Sequence, residues 1–146
     1  MALPEDGYPD NNPKTASGVN KAPLHLVPPS ALIALANAFK DGAKKYGPYN
    51  WRKKKISSSV YYAAHLRHMA AWWDGEDTAE DSGQSHIDHA MACLAMIKDG
   101  QSIGMLNDDR PPKGAAAELL KDAQAEGQFG AGLGMHLFRQ QHKAHD

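Results

Sequence analysis

The sequence predicts an all-α protein, on three observations. Apolar residues recur at helical spacing in several segments between residues 30 and 126. Clusters of glycine and proline fall mainly between those segments, where they would end or connect helices. No stretch alternates Val, Ile or Thr with polar residues between hairpin turns, so little sheet is expected. With 146 residues the chain is expected to form one domain.

The predicted helical core spans residues 30–100, and composition changes on either side of it. Residues 1–29 are rich in Pro, Gly, Asn and Asp, which predicts an extended N-terminal arm. Asn20 and Lys21 follow small residues in this arm and suit a loop that wraps a ligand, although a plain surface loop explains them equally well. Residues 101–146 are expected to form a linker and a C-terminal helical extension.

Two helices are predicted within that C-terminal extension. The first covers about residues 115–126, and a glycine-spaced irregular piece follows it. The second is an amphipathic tail helix over residues 135–146, which would pack on the body of the protein or on a second subunit.

Three helices are predicted within the core. The first takes Ser30 as its N-cap and is expected to end or kink at Gly42. The second runs from about Val60 to Trp73, is apolar nearly all round, and is therefore expected to be central and buried. The third begins at about residues 82–85 and is expected to stop at Gly100. Because the connection between the last two is short, they should be antiparallel neighbours.

These two helices carry paired histidines, His65 with His68 and His86 with His89. Residues three apart share a helix face, so the two pairs can converge in the seam between the helices. Such a concentration of ionisable groups is costly unless a cation compensates it, although a single histidine on an apolar face is often only a hydrogen-bonded core residue. The candidate metal ligands, including the acids of the connection, are Glu76, Asp77, Glu80, Asp81, His86 and His89.

A basic and aromatic segment lies between the first two core helices, over residues 42–55. Its ammonium and guanidinium groups can bind phosphate, and its aromatic rings can stack on a base or pack in the core. A solvated basic loop remains the alternative. The candidate substrate-binding residues in this segment are Lys44, Lys45, Tyr46, Asn50, Trp51 and Arg52.

Composition narrows the classes of function. The formal net charge is −1, which provides no field for general nucleic-acid binding. Cys93 is the single cysteine, so an internal disulfide is excluded. No leader pattern or long apolar span occurs, and the expected location is the cytoplasm, without membrane contact. Neither a Walker loop nor a dinucleotide-binding glycine fingerprint is present, so phosphate would have to be bound by cations and metal.

The chain resembles the dATP/dGTP diphosphohydrolase family of bacteriophages, a MazG-like branch of the all-α NTP pyrophosphatases. The resemblance covers about residues 17–99 and excludes the C-terminal third. It rests on spaced elements: Gly42-Ala43-x-Lys45-Tyr46, Asn50-Trp51-Arg52, Arg67-His68-x-x-x-Trp72, Gly75-Glu76-Asp77 and Asp81-Ser82-Gly83-x-x-His86-x-x-His89. Where MazG-type enzymes carry Glu-x-x-Glu and Glu-x-x-Asp on their metal helices, this chain has the two histidine pairs.

The resemblance implies a MazG-like helical bundle, assembled as a homodimer or homotetramer in the host cytoplasm. It implies hydrolysis of dGTP, and of dATP as a second candidate, to the monophosphate and pyrophosphate with two or three Mg²⁺ or Mn²⁺ ions. The dGMP produced would supply 2-aminoadenine nucleotide synthesis in a phage. Glu76, Asp77 and His68 would be catalytic, and Arg67 would join the phosphate-binding residues.

Two other classes of function stay open at this point. A helical module could bind single-stranded nucleic acid through the segment from Lys44 to Lys55, and that binding would persist in EDTA and weaken with salt. A zinc hydrolase built on the four histidines would instead carry stoichiometric zinc.

Overall fold

The structure, a computed structural model, describes residues 11–128. The chain divides into two units after Asp109, and each is described by itself. The elements of the first unit are α1 (Pro13–Gly18), a 3₁₀ turn (Leu24–Leu26), α2 (Pro29–Tyr46), α3 (Asn50–Lys53), β1 (Ile56–Ser57), α4 (Ser58–Trp73), α5 (His86–Ser102) and β2 (Leu106–Asn107). The described part of the second unit contains α6 (Ala116–Gln128). The all-α prediction is confirmed, and no helix within residues 11–128 is long and apolar enough to cross a membrane.

Helix α5 is the centre of the first unit. It packs on α4, α2, α3 and β2, and it contributes Ala90, Ala92 and Cys93 to the buried core. His68 of α4 contacts His86 near the start of α5, while His65, one turn earlier, contacts the carbonyl of Ala90 further along. The two helices therefore run antiparallel, as the short connection predicts.

The prediction that α4 is the central, buried helix is wrong. Val60, Tyr62 and Leu66 are about half exposed, and Trp73 is 83% exposed. Among residues 11–128, the elements that cover α4 are chiefly α5 and β1, on one side of the helix. The apolar pattern of α4 identifies residues suited to burial, but within the described chain too few elements surround the helix to bury them all.

Helix α2 is longer than predicted at its C-terminal end and starts differently. It continues through Gly42 to Tyr46 and ends at Gly47, whose φ of 83° suits a residue without a Cβ. A glycine inside a helix costs only about 1 kcal/mol, which the flanking helical residues offset. Ser30 is not the N-cap: Pro28 occupies that position and Pro29 is the first helical residue, where its fixed φ is favourable.

A carboxylate from far along the chain caps the N-terminus of α4. Ser57 is the N-cap residue, but its side chain makes no capping bond. The Ser59 backbone N–H instead donates to Asp109 Oδ1 at 2.8 Å, and the Ser59 hydroxyl donates to Asp109 Oδ2. These bonds hold the pKa of Asp109 below its usual value. A negative charge at this end also complements the helix dipole, so a distant acid replaces the local hydroxyls.

A small parallel sheet ties the start of α4 to the end of α5. Ile56 pairs with Leu106 and Ser57 with Asn107. Gly100, predicted to end the helix, lies buried inside α5. The helix ends instead at Ser102, with Ile103 as its C-cap. Gly104 then turns the chain with φ of 70°, and the Met105 N–H donates to the Gly100 carbonyl at 2.8 Å across the turn.

The segments outside the core differ in how far they agree with prediction. In the predicted extended arm, residues 13–18 form helix α1, where the Asn12 side chain accepts from the Lys14 N–H at 2.9 Å. Pro13 at the first helical position favours this turn. Helix α6 confirms the helix predicted over about 115–126. The predicted tail helix over 135–146 lies outside the described residues.

Substituting the two glycines should change stability in opposite directions. In Gly100→Ala the new Cβ would meet Ile56 Cδ1 at 3.5 Å, an ordinary contact, and the helix gains up to about 1 kcal/mol in propensity. Gly104→Ala should cost about 1 kcal/mol or more because the left-handed conformation disfavours a Cβ. Urea denaturation of both variants measures the two changes. Equal destabilisation would contradict the assignment of Gly104 as the terminating residue.

Candidate active site

A cavity of about 600 Å³ lies beside α5 in the first unit. Its walls come from the C-terminal half of α2, the loop over residues 47–50, α3, one side of α4 and one side of α5, with Asp81 at its margin. Tyr49 adopts a left-handed conformation with φ of 54°, which is uncommon for a residue with a side chain. The turn formed by Gly47 and Tyr49 brings the aromatic residues of this loop to the cavity wall.

Three histidines and a serine meet at one end of this cavity. His68 Nδ1 lies 2.9 Å from His86 Nδ1, and the His68 and His89 rings stack with centroids 4.8 Å apart. His89 Nε2 lies 2.8 Å from the hydroxyl of Ser82. His68 and His89 line the cavity, and His86 is buried behind them. The convergence expected from the two histidine pairs is therefore present, with His65 turned to the Ala90 carbonyl instead.

The surroundings of His68 favour the neutral form of its ring. Burial lowers the pKa of His68 below its ordinary value of 6.5, and the nearby His89, His86 and Arg67 lower it further. Because two ring nitrogens 2.9 Å apart need one proton between them, His68 and His86 must be in complementary states, one donating and one accepting. Such a pair can shift a proton between rings.

Glu76 and Asp77 approach this cluster from the connection after α4. Glu76 Oε1 lies 3.4 Å from His86 Nε2, and the Asp77 carbonyl accepts from the His86 N–H at 3.0 Å. The buried Nε2 of His86 nevertheless has no hydrogen-bond partner within residues 11–128. A buried ring nitrogen in this state is poised for a proton, a water or a cation.

Lys45, which also lines the cavity, lies between two carboxylates. Its Nζ is 3.1 Å from Asp41 Oδ2 and 3.2 Å from Asp81 Oδ2. The hydrogen bond to Asp41, followed by that to Asp81, raises the pKa of Lys45, and Lys45 lowers the pKa of Asp81. All three side chains line the cavity, so a cation and two anions meet where a ligand would enter.

Trp51 and Arg52 fasten α3 to α5 through a single acid. The Trp51 indole N–H donates to Asp99 Oδ2 at 2.7 Å, and Arg52 donates to both oxygens of Asp99 at 2.8 and 2.9 Å. Trp51 is buried between the rings of Phe39 and Tyr49, with centroids 5.2 and 5.3 Å away. The bonds to Asp99 thus hold in place the aromatic wall of the cavity, which is formed by Phe39, Tyr49 and Trp51.

The predicted site residues fall into three groups. Those lining the cavity are Lys45, Tyr46, Asn50, Trp51, His68, Asp81 and His89. Glu76 and His86 adjoin it through the histidine cluster. Those that do not line the cavity are Asn20, Lys21, Lys44, Arg52, Arg67, Asp77 and Glu80, all of them exposed.

Asp41, Tyr61 and Cys93 are among the cavity residues that were not predicted from sequence. Asp41 bonds to Lys45 across one turn of α2, and its i,i+4 spacing was the signal that could have found it. Tyr61 and Cys93 also line the cavity, and burial raises the pKa of each. Their only sequence signal is an apolar surrounding, which equally describes ordinary core residues.

The donor set limits what kind of cation could bind. Within residues 11–128, no three His, Cys, Asp or Glu side chains come together closely enough to hold a metal ion. Mg²⁺ is commonly bound by only one or two carboxylates, with substrate phosphates and waters completing the shell. The exposed carboxylate of Asp81 at the cavity and the unsatisfied His86 nitrogen beside Glu76 fit a cation that is held partly by substrate.

The ionised Asp99 side chain should make the free energy of unfolding depend on pH in the acidic range. The hydrogen bond from Arg52, followed by that from Trp51, lowers the pKa of Asp99 from 3.8 to about 2. Its stabilising contribution is therefore complete above pH 3.8 and lost as the pH falls towards 2. Asp99→Asn should lower the free energy of unfolding at pH 7 and flatten its decline between these pH values. An unchanged slope in urea titrations across this range would contradict the role of Asp99.

Comparisons with known proteins give one match. Neither the curated proteins nor the solved structures contain a significant relative. A family model described as the N-terminal domain of dATP/dGTP diphosphohydrolase matches residues 11–110, the span that contains the histidine cluster, Lys45 and the aromatic wall. Since this match covers well over half of the 146 residues, the chain belongs to the dATP/dGTP diphosphohydrolase family.

Proposed function

We propose that this protein hydrolyses purine deoxynucleoside triphosphates, dGTP first and dATP as the second candidate, to the monophosphate and pyrophosphate. The family description names these two nucleotides. The observation that carries the proposal is a single cavity in which Lys45, Asp81 and the imidazoles of His68 and His89 share the lining. Phosphoryl chemistry needs that combination of a cation, an acid and a proton acceptor.

The size and wall of the cavity support a nucleotide ligand. Its volume of about 600 Å³ falls within the usual range of small-molecule sites. Tyr46 lines it and is 72% exposed, which leaves its ring available to stack on a base. The amide of Asn50 is the group proposed to bind the base edge. A wrong base would leave this amide without a hydrogen-bond partner and would therefore bind more weakly. Trp51 also lines the cavity and packs against Phe39.

Charge complementarity supports a triphosphate. A nucleoside triphosphate carries about four negative charges that must be neutralised for water to attack the α-phosphorus. Among the described residues that line the cavity, Lys45 is the one lysine or arginine. The exposed Lys44 and Arg67 lie off the cavity lining, and Arg52 is paired with Asp99. We therefore assign the first phosphate contact to Lys45.

Mg²⁺ or Mn²⁺, two or three ions, is the proposed cofactor. When bound with substrate, such ions would neutralise phosphate charge and lower the pKa of the attacking water. Asp81 and Glu76 are the first proposed ligands, because one lines the cavity and the other faces the unsatisfied nitrogen of His86. Further candidate ligands are Asp77 and Glu80 on the same connection and the histidines His86 and His89.

His68 is the proposed proton acceptor. Burial lowers the pKa of His68, which favours the neutral ring that a general base requires. Its Nδ1 faces His86, which leaves Nε2 as the nitrogen to take a proton from water. His86 and Glu76 would then stabilise the positive charge on the pair.

The wider setting of the reaction is also a proposal. The resemblance to phage enzymes supports supply of dGMP for 2-aminoadenine nucleotide synthesis in the host cytoplasm. Assembly as a homodimer or homotetramer is supported by the uncovered apolar residues of α4, including Val60, Tyr62 and Trp73. A second copy of the chain would remove that surface from water.

Product analysis tests the proposed reaction. Each of the four dNTPs is incubated with the full-length protein and Mn²⁺, and the products are separated by anion-exchange chromatography. We expect dGMP with equimolar pyrophosphate from dGTP, and loss of turnover in EDTA. Release of orthophosphate instead of pyrophosphate, or no turnover of any purine dNTP, would exclude this reaction.

Glu76→Gln should lower kcat by about a hundredfold or more, because it removes a negative charge from the cation and imidazole cluster. The fold should persist, since Glu76 is exposed. Asp74→Asn, on the same connection, is the matched control and should retain turnover. Wild-type activity in Glu76→Gln, with an unchanged thermal melt, would remove Glu76 from the site.

A further inference from the structure

The ion pairs of Lys45 are unequal in a way that assigns different tasks to its two carboxylates. Asp41 precedes Lys45 by four residues on α2, so this pair is fixed by the helix itself. Asp81 reaches the same ammonium from the connection between α4 and α5. The side chain of Asp41 is 20% exposed, whereas that of Asp81 is 73% exposed. Solvent therefore weakens the pair with Asp81 more than the pair with Asp41.

A triphosphate entering the cavity would compete for the same ammonium. The pair that yields first is the exposed one, because Asp81 loses little when water replaces Lys45. Its release would free the Asp81 carboxylate for a cation accompanying the phosphates. Asp41 would keep its bond and hold the lysine chain along the helix, with Nζ directed into the cavity.

We propose that Asp41 is the positioning residue of Lys45: it holds the ammonium for the phosphates while Asp81 exchanges its contact with Lys45 for the substrate complex. The proposal rests on the proposed nucleotide-binding function and adds a residue to it. Asp41 contacts no substrate atom in this scheme and acts through Lys45.

Simple charge arithmetic gives the opposite expectation, which makes the test sharp. Removing a carboxylate from a site for polyanions should tighten nucleotide binding, because it removes repulsion. If Asp41 positions Lys45, its loss should weaken binding, since the ammonium then pairs with Asp81 alone and is drawn away from the phosphates. The sign of the change in nucleotide affinity therefore distinguishes positioning of Lys45 by Asp41 from simple charge repulsion.

The experiment compares full-length wild type, Asp41→Asn, Asp41→Glu, Lys45→Gln and the double variant of Asp41→Asn with Lys45→Gln. Lys40→Gln, which removes another cation of α2, is the matched control. The Kd of dGTP is measured by calorimetry in EDTA, and KM and kcat for dGTP are measured with Mn²⁺. Thermal melts establish that each variant folds. If Asp41→Asn does not fold, Asp41→Ser is used in its place.

We expect Asp41→Asn to raise both Kd and KM about fivefold with kcat within about twofold of wild type. Asp41→Glu should restore Kd, because glutamate also reaches a lysine four residues later. In the Lys45→Gln background, Asp41→Asn should have no further weakening effect, since its partner is gone. Lys40→Gln should leave Kd within about twofold.

Three results would overturn the proposal. Unchanged or tighter dGTP binding by Asp41→Asn would show that Lys45 needs no positioning, and undetectable wild-type binding in EDTA would contradict an unaided phosphate contact. A fall in kcat at constant KM would place Asp41 in the chemical step. A different result would contradict the proposed function itself: wild-type protein would bind dGTP but release no pyrophosphate.

Discussion

The antiparallel packing of α4 on α5 is the contact on which the candidate site depends. It brings His68 within 2.9 Å of His86 and stacks it on His89, although 18 residues of sequence separate the first two. The same packing leaves one side of the seam open as the cavity. A shift of α4 by one turn would separate these rings, so the histidine cluster forms only in this packing of the two helices.

Two sets of ion pairs lie near that seam, one around Asp99 and one around Lys45. Asp99 holds Arg52 and Trp51 in a structural pair at the far side of the aromatic wall. Lys45, by contrast, lies between two acids at the cavity, one held on its own helix and one on a connection. The bonds of Asp99 therefore join α3 to α5, whereas Lys45 pairs within α2 and with the connection between α4 and α5.

Much of this arrangement could be predicted from the sequence, because helical spacing determines which side chains share a face. The meeting of His68 with His86 and His89 follows from that rule and from a short connection. Asp41 was missed because an acid and a lysine four residues apart are common on solvated helices. Gly100 and Gly104 could not be distinguished by sequence, since only the backbone φ and the contact with Ile56 separate a buried helical glycine from a terminating one. The degree of burial of α4 depends on what surrounds it, which periodicity does not encode.

The capping of α4 by Asp109 bears on how the protein can be dissected. The carboxylate that satisfies the first turn of this helix comes from 50 residues downstream, at the last position of the first unit. A shortened chain that stops before residue 109 would keep every histidine of the cluster yet begin its second long helix with unsatisfied amides. Shortened versions of the first unit must therefore be cut on the C-terminal side of this acid.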